Sequence, residues 1–412
     1  MMDLVVVGGG IAGGALATVM ARDGYEVTVL EREPVYRDRV RGEWLAPWGV
    51  AEAQRLGVYD VLVGGAGGHH LARFGQWDEV FEPDRAPVMD LDRLVPGVPG
   101  PLSFGHPQGC QALASAAAEA GATILRDVDV TGVVGGGQPS VAYRHGGQAR
   151  EVAARLVVGA DGRRSFVRQA AGLAVQHEPA DHLLAGLLVD GAGGWPDDTQ
   201  AMGTEGDVMF LVFPQGSGRC RLYLAHSTDD RHRFSGPGAA AAFLATFPRA
   251  CLPGSDVFAA ASPAGPCASQ ASGDSWTDSP VGPGVVLVGD AAGWNDPILG
   301  QGLSIGLRDV RLVTERLRET RAWSMATLAL YAQERGERMR RLRLCARLTA
   351  ALNARFGTDA ARRRRRALRR ASADLTLGRT MATALLGPDG PAEAFTDAAV
   401  ERLLRGPATG RS

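Results

Sequence analysis

Residues 1–33, MMDLVVVGGGIAGGALATVMARDGYEVTVLERE, contain an apolar run from Leu4 to Val7, then glycines, then an alanine-rich segment with helical spacing. This order predicts a strand, a tight turn, a helix and a second strand. Gly8 permits the turn, Gly10 leaves room for a pyrophosphate at the backbone, and Gly13 lets the helix pack closely on the sheet. The helix N-terminus then offers free N–H groups and a positive dipole end to phosphate.

The second predicted strand, Glu26–Leu30, is followed by Glu31, at the place where a carboxylate accepts hydrogen bonds from ribose hydroxyls. A strand, a glycine turn, a helix and this acid together predict an adenine dinucleotide site. An acid here disfavours a 2′-phosphate, so the expected ligand is FAD or NAD rather than NADP.

Composition and charge are those of an ordinary globular protein: of 412 residues, 45% are hydrophobic and 22% are charged, and the formal net charge is −1. This length suffices for two or three domains. A nearly neutral chain creates no overall field that attracts nucleic acid or a membrane surface, so neither is an expected partner. We expect a monomer or a homodimer.

The cysteines are widely separated and form no C-x-x-C pair; they are Cys110, Cys220, Cys251, Cys267 and Cys345. Such spacing argues against a metal site or a disulfide framework and favours small buried side chains in a reducing compartment. No apolar run reaches the ~18 residues of a membrane-spanning helix. The first residues lead directly into a strand, without a basic region and cleavage site, so a cytoplasmic location is expected.

Helix and strand patterns alternate in three separated segments, which predicts a Rossmann-like α/β domain. These segments are 1–70, 101–177 and 276–325. Residues 71–100 and 178–275 contain strand-like runs between Gly, Pro and Asp, which predicts an antiparallel-sheet substrate domain interleaved with the first. Residues 326–412 are predicted to form a helical C-terminal region. The expected fold class is therefore α/β with these two additions.

Two later segments also place an acid and glycines after a buried strand. VVGADG ends in Asp161 and Gly162. VVLVGDAAGWNDPILGQG places Asp290 after a strand and Gly300 and Gly302 before a long helix that is predicted to extend through Arg321. Ligands of a doubly wound sheet bind at the carboxyl ends of its strands. A helix start beside glycines is a second cradle for an anion or a carbonyl.

The predicted sheet domain offers candidate substrate contacts, because residues an odd number apart on a strand face opposite sides. Phe210 and Phe213 lie on opposite faces of one strand, as do Tyr223 and His226 on the next. One face should cover a core and the other should line a pocket; the alternative is that each is an ordinary core or surface residue. The candidate substrate contacts are Phe210, Phe213, Tyr223, His226, Trp294, Asn295 and Asp296.

Together, the glycine turn with Glu31, the GADG segment at residues 159–162 and GDAAG…P…GQG at residues 289–302 resemble the para-hydroxybenzoate hydroxylase family of single-component, FAD-dependent aromatic monooxygenases. The resemblance extends from the N-terminus to about residue 310. It implies the interleaved fold, FAD as cofactor and NADPH or NADH as co-substrate.

The resemblance also implies site roles by position. The glycines of the first motif would contact the FAD pyrophosphate and Glu31 its ribose, while Arg41 and His106 would contact the flavin chain. Asp161 would belong to a motif used for both FAD and nicotinamide, and Asp290 would bind the ribityl chain. The implied cofactor-binding residues are Gly8, Gly10, Ile11, Ala12, Gly13, Glu31, Arg32, Arg41, His106, Asp161, Gly289, Asp290, Pro297, Gly300, Gln301, Gly302 and Leu303. Those from Pro297 onwards would lie along the isoalloxazine ring, with N–H groups near the edge where negative charge develops on reduction.

The chain departs from that family at the wall facing the substrate. Gly293–Asp296 stand between GDAA and Pro297, where family members commonly have a His and a Pro-Pro pair, and Ser304 replaces a frequent Asn. These differences affect the prediction of the substrate class more than the prediction of the cofactor.

The leading hypothesis is an FAD-dependent monooxygenase that uses NADPH or NADH and O2 to hydroxylate an aromatic or other electron-rich small molecule through a flavin C4a-hydroperoxide, as in tailoring enzymes of secondary metabolism. A closed apolar pocket then matters more than a catalytic acid. Alternatives on the same scaffold are a halogenase, a Baeyer–Villiger oxygenase or a reductase. A non-catalytic flavin- or ligand-binding protein is the alternative from another class.

An arginine run, Arg362–Arg366 with Arg369 and Arg370, lies in the predicted helical region. No aromatic residues interleave with it and the chain is nearly neutral, which argues against nucleic-acid binding. We interpret the run as a solvated helix face, with a contact to a reductant phosphate or to a partner as the alternative.

These assignments predict that Asp290→Ala and Glu31→Ala weaken FAD retention more than Arg364→Ala does, because only the first two carboxylates are assigned to the cofactor. The measurement is the flavin-to-protein ratio after gel filtration. Equal retention in all three variants would contradict the residue assignments.

Overall fold

The computed structural model describes residues 1–320 and 322–405. Arg321, the expected end of the long helix after Gly302, lies outside the described residues, as do residues 406–412 of the predicted helical region and the side chain of Ser272. Within the described part of the chain, no helix combines the length and the apolar composition needed to cross a membrane.

The secondary-structure elements of the described residues are numbered in chain order. The strands are β1 (Met2–Val7), β2 (Val27–Leu30), β3 (Trp44–Leu45), β4 (His69–His70), β5 (Arg73–Gln76), β6 (Val88–Asp90), β7 (Leu102–Ser103), β8 (Thr123–Leu125), β9 (Val128–Val134), β10 (Ser140–His145), β11 (Gln148–Gly159), β12 (Gln176–His177), β13 (His182–Asp190), β14 (Thr199–Glu205), β15 (Val208–Gly216), β16 (Arg219–Ser227), β17 (Ser262–Pro263), β18 (Ala268–Ser272), β19 (Ser275–Trp276), β20 (Val281–Gly282) and β21 (Val285–Leu287). The helices are α1 (Ile11–Arg22), α2 (Pro47–Arg55), α3 (His106–Glu119), α4 (Phe166–Ala170), α5 (Ala239–Thr246), α6 (Asp256–Ala259), α7 (Gly302–Glu319), α8 (Ala329–Asn353), α9 (Thr358–Ala373), α10 (Leu375–Met381), α11 (Thr383–Leu386) and α12 (Asp397–Arg405). Two of these helices, α5 and α6, lie within the segment 178–275, which the sequence predicts to contain strands.

The first sheet has the order β20-β21-β11-β1-β2-β8, with a β9–β10 hairpin joined through β10 to β11. β1 pairs in parallel with both β11 and β2, and β11 pairs in parallel with β21. The carboxyl ends of β1, β11 and β21 therefore meet at one edge. Each of these ends leads into one of the three glycine-containing motifs.

Both faces of this sheet are covered, as continuous apolar strands such as β1 require. On one face α1, α3 and α7 supply Leu16, Leu113 and Leu307 to a common core. On the other face Val141 of β10 packs with Val157 of β11. This arrangement confirms the Rossmann-like α/β part of the expected fold class.

The second sheet has the order β17-β13-β16-β15-β14-β5-β6, with β18 also pairing with β13. Its strands pair antiparallel with one exception: β5 runs parallel to β14. One face carries a core that includes Phe210, Leu222 and Phe243. The opposite face packs on α8 through Leu211 and Ala350. The expected antiparallel-sheet domain is therefore confirmed, and the pair of β5 with β14 is its parallel exception in the described chain.

The C-terminal helices pack on the second sheet and on the loops of the first. The interpretation of the arginine run as a solvated face is wrong for Arg364, which is 1% exposed. Its Nε lies 2.8 Å from an Asp78 carboxylate oxygen and its Nη2 lies 2.7 Å from Glu79. Arg362, Arg363, Arg365, Arg366 and Arg369 are exposed. Arg364→Ala is therefore not a neutral control for FAD retention, and Arg363→Ala on the same helix replaces it.

A buried ion cluster joins the first sheet to the C-terminal region. The Asp309 carboxylate of α7, fully buried, accepts hydrogen bonds from Arg335 Nε at 3.0 Å, Arg338 Nη2 at 2.6 Å and the Gly289 N–H at 2.8 Å. Arg335 also donates to the carbonyls of Gly289, Ala292 and Gly293. α8 therefore holds the loop after β21 in place.

We expect Asp309→Asn to lower the free energy of unfolding by about 3–5 kcal/mol, because two buried guanidinium groups lose their shared counter-charge. Urea denaturation followed by circular dichroism measures the change. The matched control is Asp359→Asn, whose exposed carboxylate pairs with Arg362 on the surface of α9 and contributes at most ~1 kcal/mol. Equal losses in the two variants would contradict the structural role of Asp309.

Candidate cofactor and substrate site

A cavity of about 870 Å³ lies at the carboxyl ends of β1, β11 and β21. Gly10, Ala160 and Asp290 line it where these strands end. Its wall continues along the second sheet and the C-terminal helices α8 to α11. The cavity thus has a part at the Rossmann-like sheet and a second part, here called the chamber, between the second sheet and these helices.

The glycine turn has the geometry that the sequence predicts. Gly8 has φ +100°, and a Cβ there would collide with Ala160 O, while a Cβ on Gly13 would collide with Gly8 O. Gly10 differs, since a Cβ there would enter open space. α1 starts at this glycine without a capping side chain, so its first N–H groups face the cavity free of side-chain acceptors. This cradle fits a pyrophosphate.

Glu31 lies behind the glycine turn and is not part of the cavity wall. Its carboxylate accepts hydrogen bonds from the Gly9 N–H at 2.6 Å and the Glu33 N–H at 2.8 Å. Tyr36, which the sequence analysis missed, donates from its hydroxyl to Gly9 O at 2.6 Å. Burial, and then the charge of Glu31, raises the pKa of Tyr36. Glu31 therefore fixes the turn, and its ribose contact stays a prediction.

A second open cradle lies at the start of α7. Gln301 precedes the helix without capping it, and a Cβ on Gly302 would enter open space. Pro297–Leu299 form a 3₁₀ turn, and Gly300 follows with φ +71°. The cavity wall includes all residues from Pro297 to Leu303. Two uncapped helix starts therefore face one cavity, as FAD requires for its pyrophosphate and for the edge of its ring.

The side chain of Gln301 points away from this cradle. Its Oε1 accepts from Trp48 Nε1 at 2.6 Å, and its Nε2 donates to the carbonyls of Leu299 and Ala384 at 2.6 and 3.0 Å. Only the backbone of Gln301 is therefore available for the predicted contact with the isoalloxazine ring. The side chain instead joins α2 to the C-terminal helices.

The two acids of the later motifs differ in their surroundings. Asp290 lines the cavity with 36% of its side chain exposed, 3.4 Å from Arg163 Nε. Asp161 accepts from the Ser165 hydroxyl at 2.6 Å and from two N–H groups at the start of α4. Burial raises the pKa of Asp161, and these hydrogen bonds oppose the shift. Asp290 is thus available to a ligand, whereas the Asp161 carboxylate belongs to the fold.

His106 and Arg41 lie on the same side of the cavity. The Nδ1 of His106 is 3.2 Å from Gly42 O, and burial together with the Arg41 charge lowers the pKa of His106 to about 4. His106 is therefore neutral at pH 7. Among the described lining residues, the arginines near the first sheet are Arg32, Arg39, Arg41, Arg163 and Arg164. The last two follow the GADG segment directly, which is the signal that the sequence analysis passed over.

The predicted alternation of side chains along β15 and β16 is confirmed. Phe213 and Tyr223 line the cavity. Phe210 is fully buried in the core on the opposite face, and His226, also fully buried, packs on Phe234 with ring centroids 5.1 Å apart. Phe210 and His226 are therefore wrong as substrate candidates, since periodicity separates the faces without showing which one meets a ligand.

In the loop before Pro297, Asn295 lines the cavity but Trp294 and Asp296 do not. Trp294 packs on His177, with ring centroids 5.5 Å apart. Asp296 accepts from the Ile298 N–H at 3.0 Å and lies 3.4 Å from His182 Nε2. Trp294 and Asp296 are thus corrected from substrate contacts to residues that shape the loop.

Asp274 stabilises the loop before Pro297 through hydrogen bonds. Its Oδ1 accepts from Asn295 Nδ2 at 2.6 Å and from the Asp296 N–H at 2.9 Å. Burial raises the pKa of Asp274 to about 6. Burial opposes protonation of His182, but the carboxylates of Asp296 and Asp181 raise its pKa above the ordinary value. A buried polar network therefore supports the wall at Pro297.

The chamber is lined mainly by apolar side chains that no motif of the sequence identifies. The sheet contributes Phe74, Leu184, Met202, Leu211 and Phe213, and the helices contribute Leu348, Leu352, Leu368, Met381 and Leu385. Within residues 1–320 and 322–405, no group of three His, Cys, Asp or Glu side chains is arranged to hold a metal ion.

Comparisons with known proteins agree with this geometry. The family model described as FAD binding domain matches residues 1–246. Mouse squalene monooxygenase (Mus musculus) is 26% identical over 333 residues, covering 77% of this chain and 55% of that protein. Menaquinone reductase of Mycolicibacterium smegmatis is 28% identical over 334 residues, covering 76% and 75%. The chain thus spans little more than half of the squalene monooxygenase.

Among solved structures, p-nitrophenol 4-monooxygenase PnpA from Pseudomonas putida DLL-E4 superposes with a TM-score of 0.79 at 20% identity, over 94% of this chain and 98% of that one. At this identity the likeness is one of fold. The family match covers more than half of the chain, from the glycine turn to the end of α5. The chain therefore belongs to the FAD-binding-domain family of FAD-dependent monooxygenases.

Proposed function

We propose that this protein takes electrons from NADPH or NADH and transfers one oxygen atom of O2 to an electron-rich small molecule. The supporting observation is the joining of two open helix starts to an apolar chamber in one cavity. The helix starts suit the phosphates of a dinucleotide, and the chamber suits a reaction that requires the exclusion of water.

Different residues of the cavity would hold different parts of FAD. The N–H groups at the start of α1 would hold the pyrophosphate, and Asp290 would accept hydrogen bonds from the ribityl hydroxyls. The N–H groups near Gly302 would face the ring edge that becomes negative on reduction. When bound, FAD supplies hydride acceptance and oxygen activation.

The protein's contribution at the substrate is position and exclusion of water. Phe213 and Leu211 present apolar surface, and the Tyr223 hydroxyl already donates to Arg41 O at 3.1 Å. The neutral His106 lies beside Gly42, the chain neighbour of the residue that Tyr223 contacts. The chamber therefore orients a substrate without offering it a charged acid or base.

A reductase is the second candidate, because menaquinone reductase of M. smegmatis matches 75% of its own length to this chain. The two candidates share hydride transfer to FAD and differ in the fate of O2. A monooxygenase incorporates oxygen from labelled O2 into its product, whereas a reductase adds only hydrogen. The halogenase, Baeyer–Villiger and non-catalytic alternatives lack a separate supporting observation in the structure.

We expect the purified protein to show oxidised flavin bands that bleach on mixing with NADPH or NADH and return with O2 in stopped-flow absorbance. Incorporation of oxygen from labelled O2 into an added substrate during the return supports the monooxygenase. Return on adding an unsaturated acceptor in the absence of O2, with the reduced acceptor as product, supports the reductase. Flavin that neither nicotinamide reduces contradicts both, and a protein unable to take up FAD overturns the assignment of the cavity.

We expect Gly10→Val to weaken FAD binding at least about tenfold, because the new side chain occupies the open space of the pyrophosphate cradle. The backbone at Gly10, with φ −70°, accepts a side chain without strain. Fluorescence titration of apoprotein with FAD measures the affinity.

The matched control is Gly137→Val, since a Cβ on Gly137 also enters open space, in the exposed connection between β9 and β10. Its FAD affinity should equal that of the unchanged protein. Unfolding midpoints of both variants should stay within a few degrees of it. Undiminished FAD binding by Gly10→Val would place the pyrophosphate elsewhere.

A further inference from the structure

We infer that the chamber binds a neutral, extended apolar molecule, and that the C-terminal helices α8 to α11 determine how long that molecule can be. The inference rests on the proposed function, because the chamber is the part of the cavity left for a substrate once FAD occupies the Rossmann-like sheet. It also gives a role to the region that carries no recognisable motif.

The walls of the chamber come from two independent parts of the fold. Leu184, Met202 and Leu211 project from one face of the second sheet. Leu352 of α8 and Met381 of α10 line the cavity from the helical side. Two apolar walls facing one space bury a hydrocarbon substrate on both sides, which favours its transfer from water in proportion to the area covered.

Charges in the wall of the chamber are already neutralised. Arg364 lines it and is held by Asp78 and Glu79 on the same side. Glu43, at the boundary with the Rossmann-like part, is paired with the fully buried Arg221. A carboxylate or ammonium on the substrate would lose its hydration here without gaining a free counter-charge. The chamber therefore selects against charged molecules.

Polar groups that could activate a phenol are also engaged elsewhere. The Tyr223 hydroxyl donates to Arg41 O, and Gln200 Oε1 accepts from Trp44 Nε1 at 2.7 Å. Burial is the main cause that raises the pKa of Tyr223. The one histidine among the described lining residues of the cavity, His106, lies beside Gly42 and is not part of the walls formed by the second sheet and the C-terminal helices. Deprotonation of a phenolic substrate thus has no base in this wall, which favours a substrate that reacts as a neutral molecule.

The helical wall limits the space in the site because helices α8 to α11 line the chamber opposite the second sheet. α8 supplies Leu348 and Leu352, and α10 and α11 supply Met381 and Leu385. Met381 and Met202 contribute flexible side chains that fit irregular apolar ligands. A bulkier residue at Met381 should shorten the chamber and leave the cofactor cradle unchanged.

The test measures binding of geraniol, farnesol and geranylgeraniol to the FAD-loaded protein by equilibrium dialysis, with 4-hydroxybenzoate as the charged aromatic comparison. Neutral isoprenols serve as probes of increasing length. We expect affinity to rise at least about tenfold from geraniol to the best longer alcohol. We expect 4-hydroxybenzoate to bind at least about tenfold more weakly than that alcohol.

Met381→Trp should weaken binding of the longer alcohols at least about tenfold and that of geraniol much less. The matched control is Leu375→Trp at the other end of α10, where the side chain is 94% exposed; its affinities should not change. If Met381→Trp fails to fold, Met202→Trp narrows the chamber from the sheet side and should give the same pattern.

Preferential binding of 4-hydroxybenzoate, or affinity independent of length, would overturn the inference. So would equal effects of Met381→Trp and Leu375→Trp. Reduction of the bound flavin by NADPH or NADH, measured on the same samples, tests the proposed function separately. Flavin reduction without isoprenol binding refutes the chamber's specificity alone, whereas length-dependent binding to protein whose flavin is never reduced refutes the proposed reaction alone.

Discussion

The Asp309 carboxylate, shared by Arg335 and Arg338, is the interaction on which the site depends most. Removing three charged groups from water is costly, and such a cluster persists only when every charge has a partner. Here the carboxylate also accepts the Gly289 N–H, and Arg335 donates to three carbonyls of the following loop. The position of the Asp290 loop is therefore set by α8. The C-terminal region, which lacks any motif, is a structural part of the candidate cofactor site.

Features that depend on local backbone geometry could be predicted from the sequence. The turn at Gly8 and the close packing at Gly13 follow from collisions that any Cβ would cause within the same motif. The alternation along β15 and β16 follows from the strand period, which separated Phe213 from Phe210 correctly. Such rules could not decide which face meets the cavity, because that depends on where α8 packs.

Features that depend on distant contacts could not be predicted. Arg364 belongs to a run with the composition of a solvated face, yet Asp78, far away in sequence, draws it into the interior. Glu31 has the spacing of a ribose ligand, yet its nearest donor is the Gly9 N–H of the turn itself. Asp161 caps α4 for the same reason: a buried carboxylate takes whichever N–H groups the fold brings to it. The spacing in the sequence identifies the residue, whereas its contacts in the folded protein determine its role.

The distribution of charge within the cavity decides which way a dinucleotide can enter. Arg32, Arg41 and Arg163 lie beside the Rossmann-like sheet, whereas Arg364 in the chamber is neutralised by two carboxylates. A pyrophosphate is therefore favoured at the first end and disfavoured at the second. The residues that would hold the phosphates, at the start of α1, and the ring edge, at the start of α7, line the same cavity as the chamber. The same separation would leave the chamber to a molecule without charge, so the proposed position of the cofactor and the proposed class of substrate rest on one arrangement of charges.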